Sequence, residues 1–315
     1  MKVRILLTCL LIPFACAIAA EPATTPKPMT TTDGPEGTVI VRDMQIATVG
    51  DGMPLLVDLA YPKTASAPMP VVLCVHGGGW SGGTKESALR VDLAAKGYFV
   101  ASVAYRLAGK SLWPAQIKDC KLALRWLRAN ASKYNINPDK IGAWGHSAGG
   151  HLVSCLGTMG DISSLDADGP FQGFSSKVQA VADYSGPTDL EVYFKHNPPA
   201  NLFGPQGKGH PEIMKDASPI NFVKSDDPPF FIAHGDQDKL VPIAQATTFA
   251  DALKQAGVPV QLVILKNAGH SLGGAKTDPP CTPTSDQLRA MSTAFFDKYL
   301  NRISQMNSQI STGWI

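Results

Sequence analysis

Apolar and polar side chains alternate over residues 39–48 and again over residues 55–61, the period-two pattern of strands with one buried face. These two segments predict a pair of antiparallel opening strands. Beyond them, residues 71–75 and 98–104 are almost continuously apolar, as suits strands covered on both faces of a parallel sheet. Between Ala115 and Tyr134 the apolar residues Ile117, Leu122, Leu124, Trp126 and Leu127 read as one face of an amphipathic helix. That helix must end before Asn137-Pro138, because proline disfavours helical backbone in the residue preceding it. Residues 140–144, 228–234 and 260–265 predict further strands, and residues 149–156 a helix after the first of these. Strands alternating with helices imply an α/β fold, a mostly parallel central sheet flanked by helices.

Two glycine- and proline-rich segments, residues 159–176 and 186–227, interrupt the alternation. They are expected to form cap-like insertions on the edge of the sheet that carries the site. Phe171, Phe174, Tyr193, Phe194 and Phe203 are candidates there, either to line an aromatic-acceptor pocket or to pack the insertions themselves.

Residues 1–20 begin with Lys2 and Arg4, continue as an apolar stretch broken by Pro13, and end on Ala17-Ile18-Ala19. This is the pattern of a cleaved secretory signal peptide, too short and interrupted for a confident membrane span. Export to the periplasm or outside the cell is expected, with no stable membrane insertion afterwards. Residues 21–37 are Thr/Pro-rich and poor in apolar side chains, so a solvated linker is expected. Residues 38–302 are expected to form one domain and residues 303–315 a tail. A chain of 315 residues with 44% hydrophobic content can bury one large core without a second domain. Loss of Lys2 and Arg4 with the leader brings 28 basic residues down to 26, equal to the 26 acidic ones. A near-neutral chain without a basic run gives no reason to expect a nucleic-acid partner. Cys9 and Cys16 lie in the leader. Cys74, Cys120, Cys155 and Cys281 remain in an exported chain, where three complete disulfide pairings are possible. Cys74 and Cys155 read more simply as small core residues, a disulfide involving Cys281 stays open, and no Cys or His spacing points to a metal.

The chemistry concentrates at strand ends. Gly145-His146-Ser147-Ala148-Gly149 joins a strand to a helix and has the G-x-S-x-G form of a nucleophile elbow, in which a sharp turn holds the serine hydroxyl clear of the backbone. Upstream, the apolar strand at 71–75 runs into His76-Gly77-Gly78-Gly79-Trp80. Backbone without side chains there can turn Gly78 and Gly79 N–H groups toward a developing oxyanion, together with the Ala148 N–H. An acid and then a histidine are expected after the serine. Asp236 and Asp238 follow the strand at 228–234, and His270 follows the strand at 260–265. Spacing alone does not separate the two aspartates. Of the seven histidines only His270 follows both the serine and the acid; His76, His146, His151, His196, His210 and His234 have simpler readings as hydrogen-bonded loop or helix residues. Trp80, beside the glycine triplet, and His146, beside the serine, are expected to face substrate.

Together these segments resemble the α/β-hydrolase fold, specifically the esterases that include hormone-sensitive-lipase-like and bacterial feruloyl-esterase-like (BD-FAE-like) enzymes. The resemblance runs from about Val39 to about Leu300. It also takes in Tyr105-Arg106-Leu107, Asp119 with residues 123–127, Gly186-Pro187-Thr188-Asp189-Leu190 and His234-Gly235-Asp236-Gln237-Asp238 with Val241-Pro242. It implies Asp238 as the acid, Ser147 as nucleophile, His270 as base and an acyl-enzyme route requiring no cofactor. Acetyl or hydroxycinnamoyl (feruloyl) esters on polysaccharides, or small carboxylic esters, are the implied substrates. Two alternatives share the fold: a serine peptidase, for which the chain lacks room for a gating domain, and an inactive homologue serving as a binding module, against which every catalytic element is present.

Overall fold

The computed structural model describes residues 29–301 except 51, 161, 168 and 274–278; the expected leader and C-terminal tail lie outside the described residues. Nine strands form one sheet: β1 (Thr30–Asp33), β2 (Thr38–Val49), β3 (Met53–Pro62), β4 (Met69–Val75), β5 (Phe99–Val103), β6 (Ile136–His146), β7 (Ala180–Tyr184), β8 (Phe230–Gly235) and β9 (Val260–Leu265). Their spatial order is β1-β2-β3-β5-β4-β6-β7-β8-β9. The first three neighbouring pairs are antiparallel and the remaining five parallel. The alternating segments thus became the antiparallel β2–β3 ribbon, and the continuous apolar runs the parallel interior.

Four longer helices cover the sheet: α1 (Ala115–Ala129), α2 (Ala148–Thr158), α3 (Ala244–Gln255) and α4 (Ser285–Leu300). Alternate residues of the inner strands serve opposite faces. Val71, Leu73 and Val75 join the core beneath α1, α2 and α3, whereas Val72 and Cys74 join the core beneath α4. The amphipathic stretch ends as α1 at Ala129 and resumes as a single turn, Ala131–Tyr134, closed by Asn135 in the left-handed region at φ 50°. Residues 30–37, read from composition as part of a solvated linker, instead carry β1 and a short 3-10 turn. All four β1 side chains are exposed, so an edge strand forms from backbone pairing alone without the apolar content that would have signalled it. Cys74, Cys120, Cys155 and Cys281 are all buried and free, and none forms a disulfide.

Buried charge fixes two connections that lead to the site. Asp119 on α1 accepts from the Arg106 backbone N–H at 2.8 Å and pairs with its guanidinium at 2.7 Å, holding the chain that leaves β5. Lys85 reaches back to the opening strands, 2.8 Å from Asp43 and 3.2 Å from Asp58, and also contacts Glu86. Burial disfavours the ammonium, but these carboxylates outweigh it and hold the Lys85 pKa above its ordinary range. A third tie crosses to the longer insertion. Trp80 Nε1–H donates to His151 Nδ1 at 3.1 Å, and His151 Nε2–H donates to the Ala217 carbonyl at 2.7 Å. Complete burial keeps this imidazole neutral, with its pKa lowered from 6.5 to about 4.

Replacing Lys85 with Met takes one cation from Asp43 and from Asp58, of which Asp58 keeps Arg42 at 2.5 Å, and a loss of roughly 1–3 kcal/mol of unfolding free energy in urea is expected; no measurable loss would show that the network is dispensable. His151 sets a pH dependence. Its folded pKa lies below the unfolded one, so its contribution is complete above pH 6.5 and is lost as pH falls toward about 4. Urea titrations at descending pH should show about 3 kcal/mol of destabilisation from this group, and His151→Gln should flatten that slope; an unchanged slope in the variant would place the acid sensitivity elsewhere.

Candidate active site

Ser147 occupies the turn between β6 and α2 at φ 58° and ψ −122°, a conformation costly for a residue with a side chain. The surroundings enforce it: Ser147 N–H donates to the Tyr184 carbonyl at 2.8 Å, and the His151 N–H donates to the Ser147 carbonyl at 3.0 Å. Close packing then demands glycine nearby. A Cβ on Gly149 would lie 2.0 Å from the Val75 carbonyl oxygen, so α2 can begin against the end of β4 only without one.

The parallel strands deliver the other groups to the same edge. Asp238 lies in the loop after β8 and His270 in the loop after β9. His270 Nε2 is 2.8 Å from Ser147 Oγ, and its Nδ1 is 2.7 Å from Asp238 Oδ2. Asp238 Oδ1 accepts from the Leu240 and Val241 N–H groups at 2.8 and 2.9 Å. Burial opposes the Asp238 charge, but hydrogen bonds from His234, His270 and these amides outweigh it and hold the carboxyl well below the usual range. Carboxylate at Oδ2 thus fixes the proton of neutral His270 on Nδ1 and leaves Nε2 free to accept from Ser147. The structure also separates the two aspartates. Asp236 accepts from the Ala268 N–H at 3.4 Å and faces Lys266 at 3.7 Å, so it braces the loop and does not touch His270.

The glycine loop stands across from this chain of hydrogen bonds. Gly78 has φ 115°, and a Cβ there would meet the Gly82 carbonyl oxygen at 2.4 Å. Its carbonyl accepts from Ser81 and Gly82 N–H, which folds the loop back on itself. No acceptor among the described residues takes the N–H of Gly78, Gly79 or Ala148. Three donors without partners beside a serine form an arrangement suited to an oxyanion.

The two residues expected to face substrate separate. His146 lines the cavity, but its Nε2–H donates to the His270 carbonyl at 2.8 Å, so it also secures the backbone at His270. Burial lowers its pKa and keeps it neutral for that bond. Trp80 does not line the cavity; only 5% exposed, it packs edge-on against His151 and beside Phe194. The glycine loop turns its indole inward, where the N–H finds His151.

A cavity of about 930 Å³ opens over Ser147 and His270. Its walls come from residues 83–92 and from the first turns of α4, including Arg90, Asp92, Leu288 and Arg289, with Trp144 and Tyr184 at the sheet. None of Phe171, Phe174, Tyr193, Phe194 and Phe203 lines it. Phe194 packs against Tyr193, Phe203 and Trp80, with centroids 4.7–6.4 Å apart, and these insertion aromatics join the main core on this face. Sequence reasoning missed the segment 83–92 because its apolar residues, Ala88, Leu89 and Val91, show no insertion signal. The one readable hint was its place directly after the glycine loop.

Comparison with known proteins agrees with this geometry. A model of the BD-FAE family matches residues 57–253. The esterase LipC of Mycobacterium tuberculosis is 34% identical over 247 residues, covering 73% of this chain and 60% of its own length. LipQ of the same organism, also an esterase, is 34% identical over 70% of this chain and 53% of its own length. The chain thus spans little more than half the length of these relatives. Among solved structures, a truncated carbohydrate esterase from gut microbiota superposes with a TM-score of 0.73 at 28% identity, covering 84% of this chain and 96% of that one. An acetyl ester-xyloside bifunctional hydrolase from Caldicellulosiruptor lactoaceticus gives 0.66 at 29% identity, over 78% and 87%. With the elbow, the glycine loop and the strand-end acid and histidine on one sheet edge, the chain belongs to the BD-FAE family of α/β-hydrolase-fold esterases.

Proposed function

We propose that the protein is an exported serine carboxylic-ester hydrolase that acts through an acyl-enzyme on small or carbohydrate-linked esters. The observation that carries this reading is the unbroken hydrogen-bond chain from Ser147 Oγ through His270 to Asp238, at 2.8 and 2.7 Å. His270 Nε2 takes the Ser147 proton as Oγ attacks the ester carbonyl carbon. The carbonyl oxygen becomes an oxyanion, which accepts from the Gly78, Gly79 and Ala148 N–H groups. Collapse breaks the bond to the alcohol oxygen, and the His270 imidazolium protonates that leaving group. Water then repeats the sequence on the acyl-serine, giving its proton to His270 and releasing the acid and free Ser147. Asp238 stays ionised throughout and stabilises the imidazolium.

A cavity of about 930 Å³ exceeds what an acetyl group fills and leaves room for a sugar or an aromatic ring on one side of the scissile bond. The names of the carbohydrate esterase and the acetyl ester-xyloside hydrolase support carbohydrate-linked acetyl esters, and the family resemblance supports feruloyl ones. The Lys2/Arg4, apolar and Ala17-Ile18-Ala19 pattern supports export. Among the described residues no helix is long and apolar enough to cross a membrane.

The purified chain should hydrolyse p-nitrophenyl acetate, butyrate and methyl ferulate, and Ser147→Ala should lower kcat by about 10⁴-fold or more. Equal rates for the two proteins on every ester would overturn the assignment. In cells, the leader fused to a reporter should be cleaved near residue 20 and the reporter exported; retention inside the cell would remove the export part of the proposal alone.

A further inference from the structure

Asp238 Oδ2 lies between two imidazoles. His270 Nδ1 is 2.7 Å away, and on the other side His234 Nε2 is 3.3 Å away. His234, on β8, is completely buried and does not line the cavity, so it cannot touch substrate. Its Nε2 also lies 2.8 Å from the Val241 carbonyl oxygen, which can only accept. Its Nδ1 has no hydrogen-bond partner among the described residues. The ring's proton therefore sits on Nε2, donated to Val241 at 2.8 Å with Asp238 Oδ2 close beside it at 3.3 Å.

Oδ1 of Asp238 accepts from the Leu240 and Val241 N–H groups, and Oδ2 accepts from His270 Nδ1 with His234 Nε2 in contact at 3.3 Å. A carboxylate offers about four acceptor directions; three take hydrogen bonds, and His234 Nε2 stands 3.3 Å from Oδ2 on the remaining side. The Asp238 side chain is 0% exposed, so water cannot replace a donor that is lost. Contact on both oxygens fixes the carboxylate plane, and that plane aims the His270 ring at Ser147. Asp183 on β7, His146 on β6 and Tyr193 in the longer insertion are other titratable groups near enough to influence His234 or Asp238.

We propose that His234 is a positioning residue: its Nε2–H fills the second acceptor site of Asp238 Oδ2 and pins Val241, locking the carboxylate in the orientation that holds His270 on Ser147. This rests on the Ser147–His270–Asp238 reading, and it is tested only among variants of an enzyme whose wild type turns over p-nitrophenyl butyrate in a Ser147-dependent manner. Absence of that turnover defeats the parent reading, whereas the comparison below defeats this one.

The variants are His234→Leu, which removes the donor, His234→Gln, whose amide still reaches Oδ2, and His234→Asn, whose amide falls short. Thermal melts establish which are folded. For His234→Leu, kcat should fall by about 10- to 100-fold with KM nearly unchanged, the acidic limb of the pH–kcat profile should move, and the low-field proton resonance of His270 Nδ1–H should shift or broaden. His234→Gln should recover most of the rate and the resonance. If His234→Leu does not fold, the pair Gln active and Asn impaired carries the same expectation. Wild-type kcat in the Leu variant, or losses in all folded variants that follow melting temperature while the pH profile and the His270 resonance stay as in wild type, would overturn it.

Discussion

The left-handed turn at Ser147 is the constraint on which the site depends. A serine at φ 58° is unfavourable by itself, and it persists because β6 ends and α2 begins against the last carbonyl of β4 with no room for a side chain at Gly149. The turn does two things at once. It lifts the hydroxyl toward His270, and it starts a helix whose first N–H, at Ala148, has no acceptor within the helix. Nucleophile and oxyanion donor are thus consequences of one backbone feature.

Parallel topology supplies the rest. β4, β6, β8 and β9 run in the same direction, so the loops after them meet on one edge although Gly78 and His270 lie far apart in sequence. The loops are then held by buried hydrogen bonds that take no part in bond breaking. His146 secures the His270 carbonyl, His151 joins the glycine-loop tryptophan to the longer insertion, and Lys85 fastens the wall segment to the opening strands. An edge lined by such fixed dipoles needs little rearrangement when charge develops, which is where electrostatic catalysis gains most.

Much of this was legible in the sequence. Periodicity separated the antiparallel ribbon from the buried parallel strands, and the elbow, glycine loop and His270 were readable because each follows an apolar strand in the required chain order, whereas Asp238 was set apart from Asp236 only by the family resemblance. What escaped was set by tertiary packing. Trp80 was expected at the substrate because of its neighbours in sequence, yet its N–H finds a buried acceptor on His151, 71 residues away. The insertion aromatics could read either as pocket lining or as packing, and the fold decided for packing. The strand β1 lay hidden in a polar, Thr/Pro-rich stretch because an exposed edge strand needs no hydrophobic pattern. His234 was indistinguishable from any core histidine until the loop after β8 folded Asp238 back onto it.

The most direct test of the account is to trap the covalent intermediate. Rapid acid quench of the enzyme during turnover of a p-nitrophenyl ester, followed by intact mass and peptide mapping, should show one acyl group added to the peptide containing Ser147. Turnover with no acylated peptide, or with the acyl group on another residue, would contradict the assignment of Ser147 as the nucleophile on which the whole site is built.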